Sequence, residues 1–503
     1  MEFGKKYYPF LVGFGIIFLF FFTRLYNILS LPIFTDEAIY VRWSQIAGND
    51  ANWRFISLTD GKQPMFVWIA MILMRVIHEP LLAGRLVSVG AGFISMIGLF
   101  LLSYEVFKNK TAALLTSFIY VIFSFSLVYD RLALYDSLVA AAIIWCLYFE
   151  ILLVRKLRLD LALILGIIIG FGMLTKTNAD FALILFPFSL LLFNFKDKYW
   201  KRKLGLWFVF ALTATFVANA MYAVLRLSPF YHIISDKNYV FIYPLHDWIQ
   251  HPFAYLIDNM KGLLDWLISY TTLPFIILVL SSFLIKKYFK EKLLLLVWFV
   301  IPFVALAFFG RVIYPRFILF MIMPFLVLGG FSLFYMITVL KKFWLRLIVA
   351  CVFLLMFVFN DFFILTDFAH ASIPQSDKGQ FVASWPSGVG VAETVAFLKE
   401  KAKQQKIYVG TEGTFGLMPY ALEIYLHDNP NIKTVGFWPI TDTPPKEVLD
   451  SAKKIPTYFV FYQPCPSCKQ TGVAPLGWPV SQVFQIPKLE KGSFYTLYQV
   501  IPQ

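Results

Sequence analysis

Long apolar segments separated by short charged loops follow one another through the first 366 residues. A helix needs about 20 mostly apolar residues to cross the hydrocarbon core of a bilayer. The pattern therefore predicts eleven transmembrane helices, at 8–29, 81–104, 111–129, 133–154, 159–175, 179–195, 204–227, 266–285, 293–310, 316–340 and 344–366. The segment 64–78 is also apolar, but it is short, begins at Pro64 and contains Arg75, so it is predicted to be a re-entrant or surface helix.

The pattern changes after residue 366, where charged residues become frequent and the apolar runs become short. Period-2 and short apolar runs predict strands, whereas a 3.6-residue period predicts helices. Helices are predicted at 390–405 and 414–427, and strands at 407–410, 434–438 and 457–462. We therefore expect two domains: a membrane domain over 1–366, with a first outer loop at 30–80, and a soluble α/β domain over 367–503.

Composition and charge agree with a polytopic membrane protein. Apolar residues make up 59% of the chain and charged residues only 15%, which excludes an ordinary soluble enzyme. The net charge of +14 could indicate nucleic acid, but it concentrates in alternate loops. These predicted inner loops carry 19 Lys and Arg against 6 acids, so the positive-inside rule places the N-terminus inside and the C-terminus outside. A plasma-membrane protein with an extracytoplasmic C-terminal domain, binding membrane lipids and no nucleic acid, is expected.

Ionisable residues at membrane depth are costly and usually functional. Most of them collect on the predicted outer side, in six separate segments: Asp36 and Glu37, Lys62, Arg85, Asp130 with Arg131 and Asp136, Lys176 with Asp180, and Arg311 with Arg316. Acids of this kind can take a proton from a hydroxyl, and several cations can hold a phosphate. A site of this composition fits a substrate with a lipid tail and an anionic head.

Each of these residues also has a purely structural interpretation. Asp36 could be a helix N-cap following Thr35, with Glu37 in the first turn. Arg85, Lys176 and Arg316 could extend to lipid headgroups. Asp136 could simply pair with Arg131, and we interpret Asp130 and Asp180 as structural.

The predicted compartment limits the donor. Nucleotide sugars and ATP are not supplied outside the cell, and the chain has neither a P-loop motif nor a D-x-D pair. An activated donor must then arrive through the bilayer, and a polyprenyl-phosphate-linked sugar meets this condition. The acceptor could be a lipid, a glycan or a protein.

The motifs, in this order, are similar to those of the GT-C glycosyltransferases, in particular glycosyltransferase family 39. They are D-E-x-x-Y at Asp36 to Tyr40, K-x-P at Lys62 to Pro64, R-L-V-S from Arg85, D-R-L-A-L-Y-D at Asp130 to Asp136, G-M-L-T-K ending at Lys176, and Y-P-R-F around Arg316. The resemblance covers about residues 1–340 and extends to protein O-mannosyltransferases and lipid A aminoarabinose transferases.

The resemblance implies a lipid-linked sugar donor and transfer with inversion. Asp36, supported by Glu37 and with Asp136 as a further catalytic acid, would activate the acceptor. The donor's phosphate and sugar would be bound by the remaining motif residues, Tyr40, Lys62, Arg85, Arg131, Lys176 and Arg316. Some members use a divalent ion at the first-loop acid, but one acid pair offers few ligands, so no metal residues are assigned.

The sequence departs from the family pattern at two positions. Relatives have two prolines after the first-loop Lys or His, whereas Gln63 replaces the first of them here. The usual L-T-K-G-P is L-T-K-T-N, so Thr177 replaces a flexible glycine. W-P-S-G at 385–388 and T-E-G-T-F-G at 411–416 resemble tails of bacterial members, for which no catalytic role is implied.

Other functions remain open from the sequence. A lipid or lipid-linked-sugar transporter also has many helices and buried charges, but such proteins commonly show internal repeats and midplane charges, and neither is evident here. A receptor whose soluble domain carries the function is a third alternative. The cysteines Cys465 and Cys468 are predicted to form a local disulfide or remain thiols, and the histidines of the 228–265 loop lack metal-ligand spacing.

Overall fold

The structure is a computed structural model that describes residues 2–465 and 470–503, with side chains from residue 10 onward. Within these residues, six helices are long and apolar enough to cross a membrane, and a seventh crossing is formed if the bent pair 256–271 and 273–284 counts as one span. Four shorter apolar helices occupy 10–25, 110–122, 159–175 and 177–192. The predicted spans overlap these apolar helices, and the protein is an integral membrane protein.

The helices of the first 366 residues are α1 (Glu2–Leu25), α2 (Thr35–Asn49), α3 (Met65–Leu73), α4 (Pro80–Phe107), α5 (Lys110–Ile122), α6 (Ser124–Tyr129), α7 (Asp136–Lys156), α8 (Leu159–Thr175), α9 (Phe181–Leu185), α10 (Trp200–Tyr222), α11 (Ile233–Phe241), α12 (Leu245–Gln250), α13 (Leu256–Thr271), α14 (Leu273–Ser281), α15 (Phe289–Phe309), α16 (Leu319–Val339) and α17 (Phe343–Thr366). Among the long apolar helices, α16 is the most deeply buried: 89% of its apolar segment is enclosed by other parts of the protein. It therefore lies at the centre of the helical packing.

Several predicted spans are interrupted rather than continuous. The span predicted at 111–129 breaks at Phe123, whose extended backbone separates α5 from α6. The predicted span 179–195 is a sequence of tighter 3₁₀ turns around α9, with Pro187 near the start of the second turn. Helix α3 has nine residues, which reach about 14 Å at 1.5 Å per residue and cannot cross a bilayer. The interpretation of 64–78 as a short re-entrant or surface helix agrees with this length.

The C-terminal region contains a five-stranded sheet in the order β2-β1-β3-β5-β4. Its elements are α18 (Gln375–Lys378), α19 (Val391–Ala402), β1 (Ile407–Glu412), α20 (Tyr420–Leu426), β2 (Ile432–Phe437), α21 (Lys446–Ala452), β3 (Thr457–Phe461), β4 (Val480–Pro487) and β5 (Phe494–Val500). Strands β2, β1 and β3 are parallel to one another. Strand β5 is antiparallel to both of its neighbours, β3 and β4. A core around Phe459, Phe461, Trp478 and Val448 holds α21 on the sheet.

The three predicted strands of this region are present, and the sequence pattern missed β4 and β5. The helix predicted at 414–427 begins only after Pro419, which occupies the N-cap position of α20. The helix cannot extend further toward the N-terminus through Pro419. Proline has no amide hydrogen to donate, and it disfavours the helical conformation of the residue before it.

The chain packs into two compact units that are not continuous in sequence. The first unit contains residues 1–26, 54–66 and 85–374. The second contains residues 27–53, 67–84 and 375–503, so the segment carrying α2 packs with the C-terminal sheet region.

Candidate functional site

The predicted acids Asp36 and Glu37 lie in the first turn of α2, in the second unit. Phe34 occupies the N-cap position, so the alternative that Asp36 caps the helix is not correct. Glu37 is fully buried and accepts a 3.4 Å hydrogen bond from the backbone N–H of Phe34. Negatively charged side chains are generally stabilised near a helix N-terminus by the helix dipole. Asp36 is partly exposed, as a group that meets a substrate must be.

Tyr40 lies one turn further along α2 and is buried. Its ring is 5.9 Å from that of Trp43, and its carbonyl accepts a 2.7 Å hydrogen bond from the hydroxyl of Ser44. Trp43 in turn is 6.1 Å from the ring of Phe415. Tyr40 therefore belongs to an aromatic packing layer that holds α2, and its assignment to substrate binding stays a prediction.

In the first unit, the predicted cations Lys62 and Lys176 stand over two aromatic rings that touch each other. The ammonium nitrogen of Lys62 is 5.1 Å from the ring centre of Phe241, and that of Lys176 is 4.6 Å from that of Phe317. The two rings meet edge to face with centres 6.0 Å apart. Residues from the first loop, the end of α8, α11 and the loop before α16 are thus brought together, and we call these four residues with Arg316 the cation cluster.

Arg316 joins the cation cluster through the same aromatic group. Its guanidinium carbon lies 4.7 Å from the ring centre of Tyr314, and the Tyr314 and Phe317 rings meet at 5.7 Å. The segment after α11 fixes this loop, because the amide of Arg311 donates to the carbonyl of Phe241 at 2.9 Å and an antiparallel bridge joins Ile242 to Gly310. Three predicted phosphate-binding cations therefore share one part of the structure.

A buried apolar group lies close in sequence to two lysines of the cation cluster. Leu58, Leu174, Leu225 and Ile234 form a buried group. Leu58 precedes Lys62 by four residues and Leu174 precedes Lys176 by two. The buried leucines therefore anchor the two chain segments that carry Lys62 and Lys176.

Asp136 is paired with Lys176. Its carboxylate accepts a 2.7 Å hydrogen bond from the Lys176 ammonium group, and the Asp136 side chain is 7% exposed. The partner that the structure gives Asp136 is thus Lys176, not the Arg131 that the sequence alternative suggested. Because the pair is largely excluded from water, the carboxylate fixes the position of the ammonium group.

Gln63 and Thr177, the two departures from the family pattern, hydrogen-bond to each other. The Gln63 amide donates to the Thr177 hydroxyl at 2.9 Å, and this hydroxyl donates to the Asn238 side-chain oxygen at 3.3 Å. The two residues directly follow Lys62 and Lys176. Sequence reasoning flagged both positions but did not find this connection, since the residues are more than 100 positions apart.

Arg131 is directed to the end of α1. Its Nη1 donates to the carbonyls of Thr23 at 2.8 Å and Tyr26 at 2.6 Å. A guanidinium at a helix C-terminus satisfies carbonyls that have no helical partner. This contact gives Arg131 a structural task, and its proposed contact with the donor remains a prediction.

Arg24 was not identified from the sequence, although it is fully buried in the first predicted span. Its Nε donates to the Asp130 carboxylate at 3.3 Å, and Asp130 also accepts from the hydroxyls of Tyr120 and Ser137. These bonds support the structural interpretation of Asp130. Arg85, also fully buried, acts electrostatically on Arg131, so it lies in this second group of charges. The one available signal for Arg24 was an arginine inside an apolar span.

No group of three or more His, Cys, Asp or Glu side chains that could hold a metal ion occurs among the residues that the structure describes. Cys465 is buried, whereas Cys468 lies outside the described residues. The predicted local disulfide between them therefore stays a prediction.

Comparisons with known proteins agree with the sequence motifs. Residues 61–223 match the model of the dolichyl-phosphate-mannose-protein mannosyltransferase family. This segment contains five of the predicted site residues, Lys62, Arg85, Arg131, Asp136 and Lys176. No curated protein sequence matches the chain.

Solved structures of two proteins are similar in fold at low sequence identity. ArnT from Cupriavidus metallidurans bound to undecaprenyl phosphate aligns with a TM-score of 0.57 and 15% identity over 99% of both chains. The apo form of ArnT gives 0.56 and 13% identity over 99% of this chain and 100% of ArnT. The oligosaccharyltransferase AglB from Archaeoglobus fulgidus, in complex with an inhibitory peptide and a dolichol-phosphate, gives 0.54 and 14% identity over 91% of this chain and 69% of AglB. The expected resemblance is thereby confirmed: residues 61–223 are similar to the dolichyl-phosphate-mannose-protein mannosyltransferase family, and the chain has the fold of ArnT and AglB.

Proposed function

We propose that the protein is an inverting glycosyltransferase that moves a sugar from a polyprenyl-phosphate donor to an acceptor hydroxyl. The observation that carries this proposal is the cation cluster, in which Lys62, Lys176 and Arg316 surround touching aromatic rings. Cations fixed in this way suit a phosphate, and aromatic faces suit a sugar ring or an isoprenoid chain. The likeness to ArnT, which was solved with undecaprenyl phosphate, supports the same class of donor.

In the proposed reaction, Asp36 takes or orients the proton of the acceptor hydroxyl, and the hydroxyl oxygen attacks the anomeric carbon of the donor sugar. The bond between that carbon and the phosphate oxygen breaks, so the polyprenyl phosphate leaves with the electron pair. Lys62, Lys176 and Arg316 stabilise the charge on the departing phosphate, with Arg85 and Arg131 as further donor-binding residues. Asp136 holds Lys176 in place, and Glu37 supports the start of α2.

The proposed topology has eleven crossings, with the N-terminus inside and residues 367–503 outside the plasma membrane. It is reached if the four shorter apolar helices and the bent pair cross as well as the six long helices. The distribution of Lys and Arg over alternate loops supports this orientation. The lipid-linked donor would then enter the site from the bilayer on the outer side of the membrane, where nucleotide sugars are not supplied.

The transporter alternative is less favoured because the sequence shows no internal repeat. Transporter sites commonly lie at broken helices between internal repeats. The test is an incubation of the full-length protein in liposomes with a panel of polyprenyl-phosphate sugars, in which release of the lipid phosphate and labelling of the acceptor are both measured. Sugar-dependent release of lipid phosphate supports a transferase, whereas movement of the lipid across the bilayer without any release contradicts it.

A further inference from the structure

The segment before α2 is bound by the W-P-S-G loop of the C-terminal region, within the second unit. The amide and the hydroxyl of Thr35 both donate to the carbonyl of Pro386, each at 3.1 Å. The amide of Gly388 donates to the carbonyl of Ile33 at 2.7 Å. A short antiparallel bridge joins Phe34 to Ser387. The backbone that immediately precedes Asp36 is therefore paired to residues 386–388 on both sides of Phe34.

The fit between the two segments requires a glycine. A Cβ atom added at Gly388 would overlap the carbonyl oxygen of Ile33, which is backbone and cannot rotate away. The φ angle of Gly388 is not in the left-handed region, so close approach, rather than conformation, is the reason for this residue. The ring of Phe34 also packs edge to face on Phe381 at 4.9 Å, which closes the contact.

Lys488, at the end of β4, holds the same loop from its other side. Its ammonium nitrogen donates to the carbonyls of Ser384 and Trp385 at 3.3 Å each and of Ser387 at 2.9 Å. The residue is only 7% exposed. A buried amine that donates to three carbonyls of one loop fixes that loop's conformation more than any single backbone bond does.

Three more contacts join α2 to the C-terminal region. Arg42 pairs with Glu423 of α20 at 2.9 Å, and the Gln45 amide donates to the carbonyl of Ile424 at 2.9 Å. Phe415, from the T-E-G-T-F-G motif, lies against Trp43. Both sequence motifs of the C-terminal region that had no assigned role thus contact the helix that begins with the first-loop acids.

We infer that residues 384–388, held by Lys488, form a seat that sets the position of Asp36 and Glu37, and that Lys488 is a positioning residue for sugar transfer. The inference rests on the proposed function. The C-terminal region is accordingly part of the catalytic apparatus through α2, although none of its residues is required to touch the substrate. A displacement of about 1 Å at a catalytic group can cost about 100-fold in rate.

The test compares Lys488→Met and Gly388→Ala with matched controls in the full-length protein. Lys491→Met removes an exposed lysine three residues away, and Gly205→Ala in α10 adds a Cβ that meets no other atom within 4 Å. Two quantities are measured: the kcat and donor KM for lipid-phosphate release, and amide hydrogen exchange of the peptide covering 33–40. We expect both test variants to lower kcat by about 10–100-fold at unchanged donor KM and to speed exchange in 33–40, with both controls like wild type.

The outcomes separate this inference from the proposed function. If the wild-type protein releases no lipid phosphate, the proposed function fails, and the exchange measurement alone decides whether the seat exists. Wild-type kcat and wild-type exchange in Lys488→Met overturn the inference. Exchange that speeds up across α19 and the whole sheet, instead of at 33–40, assigns Lys488 to domain stability and also overturns its positioning role.

Discussion

The side-chain amide of Gln63 donates a 2.9 Å hydrogen bond to the hydroxyl of Thr177, and these are the two positions at which the chain departs from the family 39 motifs. Proline and glycine at these positions could not form this bond, since neither has a polar side chain. The bond joins the residues that follow Lys62 and Lys176, so it fixes the separation of two cations that we propose to bind one phosphate.

Thr177→Val and Gln63→Leu are therefore expected to raise the donor KM, because each frees one lysine-bearing segment from the other. Each should also lower the free energy of unfolding by about 1–2 kcal/mol, since one hydrogen bond has a net value of about 1 kcal/mol and the Thr177 hydroxyl also bonds Asn238. The effect of the double variant should be smaller than the sum of the two single effects, since both variants remove the same Gln63–Thr177 bond. Thr338→Val, at an exposed hydroxyl bonded only within its own helix, is the control. Fully additive effects on KM would contradict the coupling.

Lys176→Gln is expected to lower kcat/KM by about 10²–10³, because it removes one charge from the departing phosphate and leaves Asp136 without its 2.7 Å partner. Lys203→Gln is the control, because Lys203 forms a comparable 2.5 Å pair with Asp197 in a predicted inner loop. Steady-state release of lipid phosphate over a range of donor concentrations checks the effect. Equal activity of the two variants would remove Lys176 from the donor site.

Asp36→Asn is expected to suppress kcat while the donor KM changes little, because the amide keeps the size of the side chain but cannot accept the acceptor's proton. Asp50→Asn, at the C-terminal end of the same helix, is the matched control, since its carboxylate only accepts the amide of Asn52. Both variants are measured in the same release assay after their folding is verified. An Asp36→Asn protein with the wild-type kcat would show that Asp36 is not the base.

Arg24→Met is expected to destabilise the protein by about 3–5 kcal/mol, because it leaves the buried Asp130 carboxylate without its positive partner. A double variant with Asp130→Leu should recover part of the loss, since both charges are then absent. Thermal unfolding in detergent measures the effect, with Arg346→Met, at an exposed arginine near the start of α17, as the control. If the double variant were the least stable, the ion pair itself would be the stabilising element.

Lys488 gives the C-terminal region a pH dependence of stability. Burial lowers the pKa of Lys488 to about 7, and the nearby carboxylates of Glu412 and Glu490 only partly oppose this change. Burial in turn raises the pKa of Glu412. In the unfolded chain the lysine pKa is about 10.4, so between these values the unfolded state binds a proton that the folded state does not. The free energy of unfolding therefore rises with pH between about 7 and about 10.4. The stability gained in this way is fully present above about pH 10.4 and is lost as the pH falls to about 7.

Lys488→Met should remove that slope, because methionine does not titrate, and Lys491→Met should keep it. Denaturant unfolding of the full-length protein at several pH values between 7 and 10 measures the slope. The same slope in the Lys488→Met protein would show that another group causes the pH dependence.

The sequence by itself determined the class of protein, the apolar helices and the motifs of the family. These are local properties: an apolar run must leave water, and a period of two or of 3.6 residues fixes which face is buried. Local pattern also identified Lys62, Lys176, Arg316 and Asp136 as polar residues at unusual places. It could not give the breaks at Phe123 and within 177–192, nor the strands β4 and β5, because these depend on partners distant in sequence.

Only the tertiary structure decided which charges meet. Asp136 pairs with Lys176 rather than Arg131, Arg24 pairs with Asp130 over 106 positions, and Gln63 bonds Thr177 over 114. The packing of α2 with the C-terminal sheet region was likewise invisible in the chain order. A hydrogen bond requires a distance of about 3 Å and a fixed direction, and neither follows from sequence spacing once the chain has turned back on itself.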